Sequence, residues 1–253
     1  MVVNETLVLD AKRVRGLYRI LSKHYGPQGW WPLRSRRITS GAHIQHTIGF
    51  NSGGYHPGTG YDPGPAERFE IAVGAVLTQN TNWHNAAAAL DALIKENLLS
   101  AEKILALPLE KLAGIIRPCG YYNQKAIKLK AVAEVMTNND SIPGREELLS
   151  IWGIGPETAD AILLYAFGRP AFVIDAYTRR IFSRFTGLET VELISYNQLQ
   201  SAVQNVFCQD LESCREYHAL LILHAKRYCT KNPRCAGCPA AGACKKRKCL
   251  QNE

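Results

Sequence analysis

Residues 150–184 read S-I-W-G-I-G-P-E-T-A-D-A-I-L-L-Y-A-F-G-R-P-A-F-V-I-D-A-Y-T-R-R-I-F-S-R. Gly153 and Gly155 bracket Ile154, and glycine tolerates the backbone angles of a tight turn that residues with a Cβ avoid. Pro156 follows where a helix begins, the one place where its missing N–H is no loss. Ala159, Ile162, Leu163 and Ala166 recur at helical spacing, and Gly168 with Pro170 ends the pattern. Residues 171–174 are short and apolar, which predicts an extended passage delivering Asp175 to the start of another helix. A glycine hairpin between helices, with a carboxylate at a helix N-terminus some twenty residues beyond it, leaves this region few ways to fold.

The rest of the chain fits around it. Residues 7–25 form an amphipathic pattern, with Val8, Ala11, Val14, Leu17 or Tyr18, Leu21 and Tyr25 on one stripe and Lys12, Arg13, Arg15, Arg19 and Lys23 opposite. Residues 33–65 are rich in glycine and turn residues, and carry His43, His46 and His56 without the spacing of a metal site. Such a loop covers a site, contacts a partner, or is a surface insertion. From residue 66 helices follow closely: 66–78, one opened by Asn82, one capped by Ser100, 109–116, 124–136, and a short one before the hairpin. Beyond Gly187 two more are predicted, over 197–207 and 212–229. No stretch alternates as a strand does, so the fold class is all-α, an orthogonal bundle of short helices.

The chain has 253 residues, 46% of them hydrophobic and 21% charged, a composition of globular proteins with room for one large domain or two small ones. No run of eighteen apolar residues marks a membrane span, and the first residues lack the pattern of an export signal. A cytoplasmic protein is expected. A net charge of +8 suits a polyanionic partner without requiring one. Eight cysteines in such a chain point to metal or redox chemistry more than to disulfides. Cys229, Cys235, Cys238 and Cys244 form C-x5-C-x2-C-x5-C, which serves either a four-thiolate zinc site or a 4Fe–4S cluster. Cys119, Cys208, Cys214 and Cys249 fall outside this spacing and read as ordinary thiols.

Joined together, G-I-G-P-E-T-A-D-A-I, V-I-D-A-Y-T-R-R-I-F and the four cysteines resemble the endonuclease III superfamily of helix-hairpin-helix DNA glycosylases. The resemblance runs over residues 66–244 and is weak before residue 65. It implies a helical barrel domain at 66–187, with the hairpin at about 148–168. A cluster domain would then combine residues 1–65, including the 33–65 insertion, with 188–253. It implies Asp175 as the catalytic carboxylate, hairpin amides of Gly153, Ile154 and Gly155 against a DNA phosphate, and a 4Fe–4S cluster on Cys229, Cys235, Cys238 and Cys244. In L-T-Q-N-T, Gln79 matches the residue that fills the gap left by a flipped nucleotide. In G-Y-Y-N-Q-K-A, Lys125 reads as a phosphate contact or helix-start charge, and Arg179 on the helix after Asp175 as a DNA contact.

One departure is informative. Bifunctional members carry a Schiff-base lysine immediately before the T-A of the hairpin helix, and here that position is Glu157. The implied enzyme is a monofunctional glycosylase of base excision repair, nucleoid-associated and monomeric, acting on duplex DNA with a damaged or mismatched base. Its target is an alkylated purine such as 3-methyladenine, with Trp30, Trp31, Trp83, Tyr121 and Tyr122 as pocket walls. Uracil or mismatched thymine is the alternative target. A DNA-binding module without catalysis is the alternative class, and Asp175 argues against it because a carboxylate near phosphates adds nothing to binding.

Overall fold

The Asp10 carboxylate starts the first helix by accepting from the N–H groups of Lys12 (2.8 Å) and Arg13 (3.4 Å), and α1 runs Ala11–Tyr25. The computed structural model describes residues 9–36, 53–58, 60–138, 142–207 and 210–246, so Val8 and the earlier start at residue 7 lie outside them. In chain order follow α2 (Pro65–Leu77), α3 (Trp83–Lys95), α4 (Ala101–Ala106), α5 (Leu109–Ile115), α6 (Tyr122–Asn138) and α7 (Arg145–Ser150). Next come α8 (Pro156–Ala166), α9 (Ala176–Thr186), α10 (Thr190–Leu193), α11 (Tyr196–Val206) and α12 (Leu211–Arg227). Asn82 and Ser100 cap α3 and α4 as expected, and Gly187, at φ 76°, closes α9 in the left-handed conformation. Among the described residues there is no strand, as the all-α reading required.

Two compact units form, one from Gly29 to Arg169, the other from the residues up to Gln28 together with those from Pro170 onward. This differs from the sequence expectation at both borders. The described ends of the 33–65 insertion belong to the first unit: Leu33 N–H donates to Gly54 O (2.9 Å), Arg34 pairs with Asp91 of α3 (2.7 Å), and Arg36 pairs with Glu67 of α2. Gly54, at φ +82°, lies so close to the Leu33 carbonyl that any Cβ would overlap it. His56 is buried with its N–H on Gly29 O (3.1 Å), while His43 and His46 lie outside the described residues. Residues 170–187, expected in the barrel, belong to the second unit because the apolar face of α9 packs there.

In the first unit α2 is the centre, buried along most of its length and packed by α3, α6 and α8. Its composition, A-V-G-A-V-L, permits that closeness, and Gly74 leaves just enough space for the Trp31 ring. In the second unit Leu17 and Leu21 of α1, Ile181 and Phe182 of α9, Leu199 of α11 and Tyr217 of α12 share one core. Tyr217 is fully buried, and its hydroxyl donates to Val14 O (2.8 Å), as a buried phenol requires. The basic face of α1 is partly used: Arg15 Nε donates to Val206 O at 2.8 Å.

Candidate active site

The hairpin joins α7 to α8, and Arg145 holds those helices together through two bonds to the fully buried Asp160 carboxylate (2.7 and 3.1 Å). Gly153 has φ +75° and is exposed, as is Gly155, the N-cap of α8. Ile154 does something else. Its side chain is buried and its N–H is spent on Ile151 O (3.0 Å), so it anchors the turn instead of offering the amide contact expected of it. Gln79 is half-buried beside the turn: its Nε2 donates to Thr158 Oγ1 (2.9 Å) and Gly153 O (3.2 Å), and its Oε1 accepts from Lys128 Nζ (2.6 Å). Glu157 is exposed on the first turn of α8.

Lys125 corrects the sequence reading. It is 1% exposed, and its ammonium donates to Leu77 O and Cys119 O, both at 2.8 Å. It closes the C-terminal end of α2 and cannot reach a phosphate from there. Burial lowers its pKa. Lys125→Met keeps the stem and strands both carbonyls, so unfolding free energy should fall by about 2–3 kcal/mol. Denaturant midpoints measure that loss, and the salt dependence of DNA affinity should stay as it is, since no phosphate contact is removed.

Asp175 is the N-cap of α9, accepting from Thr178 N–H at 2.6 Å, and is 8% exposed. His218 of α12 places Nε2 3.8 Å from Asp175 Oδ2, an ion-pair separation and too long for a hydrogen bond. Burial alone would push the Asp175 pKa up, but the His218 imidazole and the Thr178 N–H outweigh it and hold the carboxyl below its ordinary range. The structure therefore adds His218 to the site. Its only signal in the sequence was a histidine inside the otherwise apolar stretch Y-H-A-L-L-I-L. Arg179, the expected DNA contact, is half-buried, and its Nη1 donates to Val191 O (3.0 Å) and Ile194 O (2.9 Å), which ties down α10.

The neighbouring arginines of α9 grip the cysteine segment. Arg180 Nε donates to Cys229 O (2.8 Å), and Arg184 donates to Thr230 O (2.7 Å) and Lys231 O (3.0 Å), with Nη1 3.5 Å from Cys229 Sγ. Cys229, Cys235, Cys238 and Cys244 form no disulfide and line one cavity of the second unit. Burial pushes the Cys238 thiol up, and the other three sulfurs push it further. Among the described residues no three His, Cys, Asp or Glu side chains form a group able to hold a metal ion. The donor set itself, four thiols around a shared space with an arginine beside one sulfur, fits a thiolate-bound cluster. Cys214, expected as an ordinary thiol, is instead disulfide-bonded, and Cys208 and Cys249 lie outside the described residues.

Of the expected aromatic walls, Trp30, Trp31 and Trp83 do gather in the first unit. Trp31 meets the rings of Trp83 (5.7 Å) and Tyr165 (5.4 Å) edge-on, and Trp30 lies 6.2 Å from Tyr55 and 6.3 Å from Tyr165. Tyr55, from the returning end of the insertion, and Tyr165, within α8, were not anticipated. Tyr121 is 64% exposed and Tyr122 lies under Arg117, so neither belongs to this group.

Several known proteins are similar to this chain. A protein of Methanocaldococcus jannaschii, assigned provisionally as a DNA repair glycosylase, is 38% identical over 90% of this chain and 94% of its own length. A structure of endonuclease III in a non-covalent complex with DNA superimposes with TM-score 0.70 at 20% identity, over 97% of this chain and all of its own. The Helicobacter pylori 3-methyladenine DNA glycosylase MagIII, bound to 1,N6-ethenoadenine, does so with TM-score 0.64 at 23% identity, over 87% and 98%. The fold is theirs. The family model for HhH-GPD superfamily base excision DNA repair proteins matches residues 73–208, hairpin and Asp175 included, and this chain belongs to that superfamily of DNA glycosylases.

Proposed function

We propose that the chain is a monofunctional DNA glycosylase that extrudes an alkylated purine, 3-methyladenine foremost, and hydrolyses its N-glycosidic bond without cutting the strand. The observation that carries this reading is Asp175, a buried carboxylate held ionised at the N-terminus of α9. As the glycosidic bond breaks, its electron pair leaves with the base and positive charge develops on the sugar. A fixed carboxylate stabilises that cation and orients a water to add at C1′, the water's proton passing to solvent. A base that is already cationic leaves as a neutral molecule, so little acid catalysis is required. The half-buried rings of Trp30 and Tyr55 suit stacking of a cationic base.

Glu157 supports the monofunctional reading, because a carboxylate cannot form the Schiff base through which a lyase cleaves the strand. The hairpin glycines and the amides of the first turn of α8 would meet a phosphate of the duplex. Cys229, Cys235, Cys238 and Cys244 would hold a 4Fe–4S cluster, which when bound ties residues 229–244 to the end of α12. Hydrolysis transfers no electrons, and its steps belong to Asp175 and the groups around it.

Duplexes carrying a stable 3-methyladenine analogue, 7-methylguanine, uracil, mismatched thymine or 8-oxoguanine test the reading. The expected result is strand breakage at the alkylated purines that appears only after alkali. Breakage without alkali would overturn monofunctionality, and breakage confined to uracil or thymine would replace the substrate.

A further inference from the structure

Gln79 makes three hydrogen bonds, and all three go to the hairpin or to Lys128. Lys128, on α6, has no counterpart in the motifs that carry the family resemblance. Its stem crosses directly over Gly153: a Cβ added there would overlap the Lys128 Cε. Its ammonium gives the shortest of the Gln79 bonds, 2.6 Å, and stands 5.6 Å from the ring centre of Trp152. Trp152 is 63% exposed, an unusual state for a tryptophan. The residue is half-buried, and burial lowers its pKa.

The Gln79 oxygen is a neutral acceptor. A phosphate at the hairpin would present an anionic oxygen, which adds charge–charge attraction to the hydrogen bond an ammonium already makes with a neutral acceptor. We propose that Lys128 is a latch: in the free protein it holds Gln79 against the hairpin, and a DNA phosphate arriving there takes over its ammonium. Gln79 is thereby released to fill the space of an extruded nucleotide. The inference rests on the glycosylase reading above and assigns it a positioning residue. Backbone capture and gap filling become one coupled event, with Gln79 kept out of the way until the duplex is seated.

The test uses a duplex with an abasic-site analogue flanked by 2-aminopurine, whose fluorescence follows gap filling in stopped flow at saturating protein. Lys128→Met keeps the stem over Gly153 and removes the ammonium. Affinity at about 0.1 M salt should fall roughly 3- to 10-fold, with the slope of log affinity against log salt smaller by about one. Gap filling at saturation should be at least as fast as in the wild type. Thr158→Val removes a different Gln79 partner, and should also speed gap filling, with the salt slope unchanged. An unchanged slope in Lys128→Met, or slower gap filling in either variant, would overturn the latch, the latter by showing that these bonds hold Gln79 in its working position. Because this duplex has no base to excise, a wild type that fills the gap while the variants disobey defeats the latch alone. A wild type that does not bind the duplex defeats the glycosylase reading too.

Discussion

Asp175→Asn should abolish base excision while leaving the fold and the affinity for DNA in place. Asparagine caps a helix about as well as aspartate does, so its Oδ1 can still accept from Thr178 N–H and α9 should start where it does now. What disappears is the negative charge, whose attraction to the sugar is stronger in the cation-like transition state than in the bound substrate. In a buried site such a loss is expected to slow the chemical step by about 100- to 1000-fold or more. Single-turnover base release measures this, and binding to an abasic-site duplex checks that the site still forms. Excision within tenfold of wild type would move catalysis to another residue.

The pH dependence follows with a definite sign. The folded-state pKa of Asp175 is depressed, so the stability it contributes is complete above the ordinary carboxylate pKa and is lost as pH falls through the lower folded value. Excision should likewise persist into mildly acidic solution. His218→Ala removes the largest influence opposing burial, so the acid limb of the rate profile should move to higher pH. A purely structural role for His218 would lower stability without moving that limb.

Cys238→Ala should have the largest effect on stability. Its sulfur lies among those of Cys229, Cys235 and Cys244, and His224 Nε2 is 3.7 Å away while His224 Nδ1 is 3.0 Å from the Tyr25 hydroxyl. A tautomer with its proton on Nε2 lets Tyr25 donate to Nδ1 and His224 donate to the sulfur, orienting it as outer partners orient metal ligands. Cluster binding is folding energy for the loop that carries the ligands. A loss of about 4 kcal/mol would lower the thermal midpoint by roughly 10 °C in a chain of this size. Iron and acid-labile sulfide should be present in the wild type and lost from the variant. Zinc without sulfide would correct the cofactor, and a metal-free wild type of unchanged stability would remove it.

What could be read in advance was local. Asn82, Ser100, Asp175 and Gly187 act within one helical turn, so their roles follow from neighbours in sequence. Lys125 was misread because the destination of a long basic side chain is a tertiary fact. The carbonyl of Leu77 stands 48 residues before Lys125, and nothing in G-Y-Y-N-Q-K-A announces it. His218 was missed for the same reason, its carboxylate partner being on another helix. The unit border went astray at α9, whose apolar stripe says that one face is covered and not by what. Tyr55 and Tyr165 joined the aromatic group from a loop and from within a core helix, where aromatic residues ordinarily signify packing alone.

The unit that carries Asp175 is assembled from two ends of the chain with the other unit inserted between them. On the ribosome, α1 emerges first with Leu17 and Leu21 uncovered, and the α12 residues that bury them are made nearly two hundred positions later. Residues 29–169 can meanwhile collect all of their own partners and fold as soon as Arg169 has left the exit tunnel. The inserted unit should therefore mature first, and Asp175 should acquire its environment only once α12 has been made. A chain interrupted anywhere before α12 would carry a folded hairpin but lack the helix that sets His218 against Asp175.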